Sequence, residues 1–265
     1  MEKESFWILH SFGPLFWALF AGFILLLVAA SLLLRKRSEK TKKIVLITAC
    51  IVTFIGFFVY KYFLSIDTEY DKLVVETRGG FSWWAELPLQ LCNINMILIP
   101  IAVAFNLRPV KSFSFFLAPL GALMALLSPS VGFDGYSIFL PRMLGFYGTH
   151  FMIIIEGLAL ATLGFYRPKF KDFPKTILTL VILLLVITGV NLLLIKTGLY
   201  DRANYFFTLE HEGISILKLF WSWIPVPVLY LLPGAAILLA YMSLVTAPFA
   251  IVDGIKKRKG KNRTA

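Results

Sequence analysis

Charged residues are what this sequence has too few of. Only 15% of its 265 residues are charged, against about 25% in an ordinary soluble domain. Thiols and imidazoles are scarcer still, with two cysteines and three histidines. Two cysteines in apolar runs exclude the disulfide framework of a small secreted module. No histidine and carboxylate cluster has ligand spacing, so neither metal nor cofactor is expected. No glycine-rich loop built to cradle a phosphate is present. The missing internal repeat weighs against transporters made of duplicated halves. No lysine stands between Lys218 and Lys256, which excludes a retinal protein with its Schiff-base lysine in the last span.

What fills the space is apolar. Hydrophobic residues make up 58% of the chain, in runs long enough to cross hydrocarbon of about 30 Å, which takes about 20 residues of helix. The expected fold is all-α, a polytopic membrane protein with seven transmembrane helices in a single transmembrane domain, 1–265. The spans read as 12–34, 44–65, 86–105, 112–129, 143–165, 176–195 and 226–249. The first run is too long for the apolar core of a signal peptide, and no small-residue cleavage site follows it. Pro88, in the first turn of the third span, is tolerable there because its missing N–H would be unpaired anyway. Trp221 and Trp223 are expected to lie at the membrane interface before the last crossing.

The formal charge of +11 raises nucleic acid as a partner, but the distribution speaks against it. Basic residues gather at 35–43, 107–111, 166–175 and 256–263, which together hold 18 of the 26 Lys and Arg. Those clusters follow the first, third, fifth and seventh spans. The loop 66–86 is instead acidic, with Asp67, Glu69, Asp71 and Glu76. This is the positive-inside pattern, and it sets the N-terminus outside and the C-terminus in the cytoplasm. Basic residues here mark topology and headgroup contact. The expected location is the cell membrane, as a multi-pass protein.

One stretch departs from the apolar rule. ELPLQLCNINMILIP, 86–100, carries Gln90, Cys92, Asn93 and Asn95 where a span begins, and unpaired polar groups at that depth cost several kcal/mol. If the span is helical from Glu86, Cys92 lies about 9 Å below the outer surface at 1.5 Å per residue. His150 then lies about 12 Å down the fifth span, and Asn191 about 6 Å down the sixth. Three polar side chains thus share an outer layer and are expected to line one outward-facing pocket. Cys92 and Asn95 would share one helix face, Gln90 and Asn93 another.

Plainer readings stand beside this one. Membrane cysteines commonly fill small apolar gaps, the reading taken for Cys50, which has no polar neighbour in sequence. Buried amides lock helix bundles, and a lone histidine often serves as a hydrogen-bonding strut. Glu156, near the midplane, is either a structural hydrogen-bonding group or a proton-coupling one. Together, however, a thiol and an imidazole are the minimal nucleophile–base arrangement, with amides available to support a developing oxyanion.

The strings LPLQLCN (87–93), FLAPLGALMALLSPS (116–130), YGTHFMIIIEG (147–157), GVNLLL (189–194) and ANYFF (203–207), taken in order, resemble the YwaF-type bacterial integral membrane proteins. These are similar in turn to the eukaryotic transmembrane protein 164 family, implicated in acyl transfer on ether phospholipids. The resemblance runs over roughly residues 40–250. It implies a cysteine nucleophile at Cys92, a histidine at His150, membrane phospholipids as partners and a bacterial plasma membrane as the location. Gln90 stands where the bacterial motif has a histidine, which removes a second base.

Three functions remain open from the sequence. The first is a lipid acyltransferase or hydrolase with Cys92 and His150 catalytic and Gln90, Asn93, Asn95 and Asn191 orienting or stabilising. The second is a small-solute transporter or channel with Glu156 on its path. The third is a non-catalytic membrane partner protein whose polar residues only lock the bundle.

Overall fold

The structure, a computed structural model, describes residues 6–261. The far end of the last basic cluster, 262 and 263, lies outside the described residues, as do the side chains of Glu76 and Arg78.

Local chemistry explains most of the helix starts. α1 (Pro14–Leu34), α5 (Arg108–Leu127), α6 (Pro141–Thr162) and α7 (Phe173–Lys196) each carry proline in the first turn, where its missing N–H and fixed φ favour initiation. α2 (Glu39–Ser65) begins under Ser38, whose hydroxyl accepts from the Thr41 N–H. α3 (Thr68–Arg78) begins under Asp67, which accepts from the N–H groups of Glu69 and Tyr70, and ends at Gly79 in a left-handed conformation. These are ordinary side-chain and glycine caps. α4 (Asn95–Ala104), α8 (Ser215–Trp223) and α9 (Leu232–Lys261) complete the described helices. A two-residue pairing of Ile8–Leu9 (β1) with Tyr136–Ser137 (β2) fastens the chain's start to the loop before α6.

Six described helices, α1, α2, α5, α6, α7 and α9, are long and apolar enough to cross a membrane. Their outer faces are apolar and bare: Leu33 is 77% exposed, Leu185 61% and Leu244 75%. Such surfaces suit hydrocarbon and not water. α6 is the buried centre, packed by α5, α2 and α1. Glycines set two of these approaches. A methyl at Gly145 of α6 would overlap Tyr60 of α2, and one at Gly157 would stand 2.8 Å from Cδ of Pro119 in α5. Small residues at helix crossings are how membrane helices pack closely.

The third expected span takes a different form. Residues 86–94 make irregular turns, and regular helix runs only from Asn95 to Ala104, ten residues. Pro88 and a run of polar side chains near the start compete with helix hydrogen bonding. Non-helical backbone at such depth is tolerated where protein covers it. The depth and facing arguments that assumed a continuous helix from Glu86 therefore do not hold for Gln90, Cys92, Asn93 and Asn95.

The loop 66–85 caps the bundle. Tyr70 and Val74 of α3 are buried, and Arg142, 1% exposed, donates to Asp67 at 2.6 Å, to Glu69 at 2.8 Å and to the Gly132 carbonyl at 3.2 Å. At the opposite end Arg108 grips Asp172 through Nε at 3.0 Å and a terminal nitrogen at 2.7 Å.

Candidate functional site

Cys92 lies in the irregular segment, and His150 lies in the middle of the most buried helix. Their side chains meet: Sγ of Cys92 is 3.6 Å from Nε2 of His150. The histidine's other nitrogen, Nδ1, is 2.7 Å from the carbonyl oxygen of Phe146, one turn earlier. A carbonyl only accepts, so Nδ1 carries the proton and Nε2 of the neutral ring is left as the acceptor. The nitrogen facing the thiol is thus the one able to take its proton. The Phe146 ring, 4.4 Å from the imidazole, fixes the other side.

The irregular backbone contributes as well. Ile94 N–H donates to the Gln90 carbonyl and Asn95 N–H to the Cys92 carbonyl, so Cys92 sits on a turn and not within a regular helix. The Cys92 thiol is also within donating reach of the Asn93 side chain, whose Oδ1 lies 3.5 Å from Sγ. On the far side Gly121 of α5 lets the Cys92 backbone approach, since a methyl there would already stand 3.4 Å from its nitrogen.

The other expected residues are dispersed. Gln90 accepts from the Phe206 N–H at 3.1 Å, which pins the loop 203–208. Asn95 donates to the Leu91 carbonyl at 2.8 Å, inside its own segment. Asn191 donates to the Tyr205 carbonyl at 3.0 Å and to Thr208 at 2.9 Å, and accepts from the Tyr205 N–H at 3.0 Å. These three amides brace the segment and loop and do not touch the thiol. Glu156 accepts from Thr53 of α2 at 2.6 Å, and the Cys50 thiol lies against the same carboxyl. Cys50 therefore has polar company that its sequence neighbours did not reveal.

An open pocket at the pair was expected, but Cys92 and His150 are 8% and 5% exposed. Leu87, Leu89 and Leu91 pack with Tyr205 and Phe206 and close the segment down. Cavities of about 250 Å³ and 370 Å³ lie elsewhere, the first between Gly79–Gly80 and 198–202, the second between Lys42, Asn106, Lys111 and Gly164.

Two residues at this end were missed from sequence. Lys61 of α2 and Glu86, which opens the irregular segment, form an ion pair whose side chains are 7% and 9% exposed. The signal was present, since a lysine inside an apolar span is functional until shown otherwise.

Bare leucine faces, a buried central helix and a covered, unwound segment define a multi-pass α-helical membrane protein with a buried thiol–imidazole pair. The chain belongs to the TMEM164 family, whose family model matches residues 4–246. Comparison with curated proteins and with solved structures finds no match to the chain.

Proposed function

We propose that this protein is a membrane lipid acyl-transfer enzyme, an acyltransferase or hydrolase, with Cys92 as nucleophile and His150 as general base. The observation that carries the reading is the tautomer geometry: Nδ1 held by the Phe146 carbonyl and the bare Nε2 3.6 Å from Sγ. That is the arrangement a thiol needs in order to lose its proton as it attacks.

In this reading Nε2 takes the thiol proton while Sγ attacks the ester carbonyl of a phospholipid. Backbone N–H groups of Cys92 and Asn93 receive the charge that develops on the carbonyl oxygen. Collapse breaks the ester bond, the imidazolium returns its proton to the departing lysolipid oxygen, and a thioester remains on Cys92. A second hydroxyl then attacks that thioester with His150 again as base. A lysolipid hydroxyl completes a transfer, and water completes a hydrolysis. Because the pair is closed, the acyl group reaches it only when the 203–208 loop or the irregular segment moves. Gln90 and Asn191 hold that cover, and Asn95 stiffens the segment beneath it.

The reading includes seven crossings, the short α4 with its irregular lead being one of them, in a single transmembrane domain. It also includes an outside N-terminus, a cytoplasmic C-terminus, and a likeness to YwaF-type proteins of a bacterial plasma membrane. Lipid profiling of cells expressing wild type, Cys92→Ala, His150→Ala and Cys50→Ala at equal membrane levels tests it. A change in phospholipid acyl chains or lysolipids is expected with wild type and Cys50→Ala and is absent from the other two. Four identical profiles, or loss with Cys50→Ala as well, refute it. Proton-dependent solute flux abolished by Glu156→Gln would put the transport reading in its place.

A further inference from the structure

Among the described residues three cations are buried: Lys61, Lys111 and Arg142. Arg142 is held by Asp67 and Glu69, and Lys61 by Glu86. Lys111, 4% exposed in the first turn of α5, has no carboxylate partner among the described residues. Its ammonium donates to Oδ1 of Asn106 at 2.6 Å and to the Phe165 carbonyl at 3.4 Å, both neutral groups. A buried charge without a counter-charge is costly, so its surroundings matter.

Those surroundings are a cavity. Lys111 lines the space of about 370 Å³ at the end of the bundle opposite the thiol, together with Glu39, Lys42, Asn106 and Phe165. Small-ligand pockets begin at about 300 Å³. Two helices start at its wall, since Glu39 and Lys42 open α2 and Lys111 lies in the first turn of α5. Helix N-termini favour anions. α6 ends there with the opposite dipole, and the Lys111 bond to the Phe165 carbonyl answers it. Glu39, the acid in the lining, is exposed and already paired with Lys43 at 3.2 Å. No carboxylate pairs with Lys42 among the described residues.

We propose that this cavity binds a phosphate group of an anionic lipid, with Lys111 supplying the buried charge and Lys42 a second ammonium. Two ammonium groups and two helix starts suit an anion with several acceptor oxygens. A lipid fits better than a free ion because Phe105 and Leu107, on either side of Asn106, are exposed apolar residues that acyl chains would cover. The site stands apart from Cys92, and neither reading depends on the other.

The experiment melts purified full-length protein in neutral detergent, titrated with dihexanoyl phosphatidate, dihexanoyl phosphatidylcholine or inorganic phosphate. A ligand that binds only the folded state raises Tm with concentration. Phosphatidate is expected to raise Tm saturably and at lower concentration than inorganic phosphate, whereas the zwitterionic phosphatidylcholine leaves it unchanged. Lys111→Gln keeps a donor but loses the charge, and should weaken the phosphatidate midpoint about tenfold, the worth of one charge-assisted hydrogen bond. Lys42→Gln should weaken it less, and Lys36→Gln, in the same basic cluster but outside the lining, should leave it unchanged.

If Lys111 were only a strut for Asn106 and the turn after α6, Lys111→Gln would lower the ligand-free Tm and leave the phosphatidate midpoint intact. That result overturns the proposal, as does a rise that never saturates or that Lys36→Gln weakens equally. Equal midpoints for inorganic phosphate and phosphatidate keep the phosphate site and overturn the lipid as its source. If Lys111→Gln cannot be purified, Lys42→Gln decides alone: a weakened midpoint supports the site and an unchanged one refutes it.

Discussion

Gly145→Ala is a one-methyl change with a large expected effect. The added methyl would overlap Cβ and Cγ of Tyr60 and stand 2.6 Å from its Cδ2. Carbon atoms rest at about 3.5–4.0 Å, so α2 must retreat from α6 by about 1 Å or Tyr60 must leave its place. Alanine gains up to about 1 kcal/mol over glycine inside a helix, while overpacking costs about 1–3 kcal/mol and sometimes more. A net loss of about 1–2 kcal/mol corresponds to a fall of about 2–8 °C in Tm for a chain of this size. Gly148, three residues further along α6, has open space around it, and Gly148→Ala should leave stability equal or higher. Thermal melts of detergent-solubilised protein, followed by size-exclusion fluorescence, compare the two directly. Adding Tyr60→Ala to Gly145→Ala should recover part of the loss, because the clash then has no second party. Equal melting of Gly145→Ala and Gly148→Ala would refute the close-packed α2–α6 contact.

Two further outcomes follow from single side chains. Asn191→Leu removes three hydrogen bonds to the loop 203–208 and strands the Tyr205 backbone groups, at a cost of about 2–4 kcal/mol; limited proteolysis should cut that loop faster, and unchanged cleavage would show that the amide is not its anchor. Burial raises the pKa of Asp67, but the Tyr70 N–H and the Arg142 guanidinium outweigh it and hold the carboxyl below its ordinary value. A depressed carboxyl contributes stability that is fully present above the unfolded value of about 4 and is lost as pH falls through the folded one. The melting advantage of wild type over Asp67→Asn should therefore shrink as pH drops below about 4, and a constant gap would show that the carboxylate charge is not what Arg142 holds.

Much of the fold was legible because its causes are local. Twenty apolar residues in a row read as a crossing whatever surrounds them, and prolines in the first turns of α1, α5, α6 and α7 mark starts by their own covalent geometry. The tie between His150 Nδ1 and the Phe146 carbonyl is likewise one helical turn long. The segment 86–94 was not legible. Its polar residues were visible, but whether it stays helical depends on cover from α5, α6 and the loop 203–208, which only the folded chain supplies. Gln90, Asn95 and Asn191 looked like candidates for the pocket, yet each found a nearer backbone group, since a buried amide takes the first partner that its surroundings offer. Cys50 and Glu156 stand 106 positions apart, Lys61 and Glu86 25 apart and Cys92 and His150 58 apart. No periodicity relates such pairs. Sequence alone determined the solvent, the helices and the supply of reactive groups, because those follow from composition and short-range geometry. The tertiary structure decided which groups meet, which amides brace the loop 203–208, and that a lysine in an apolar helix pairs with Glu86 under cover, because those depend on how the helices cross.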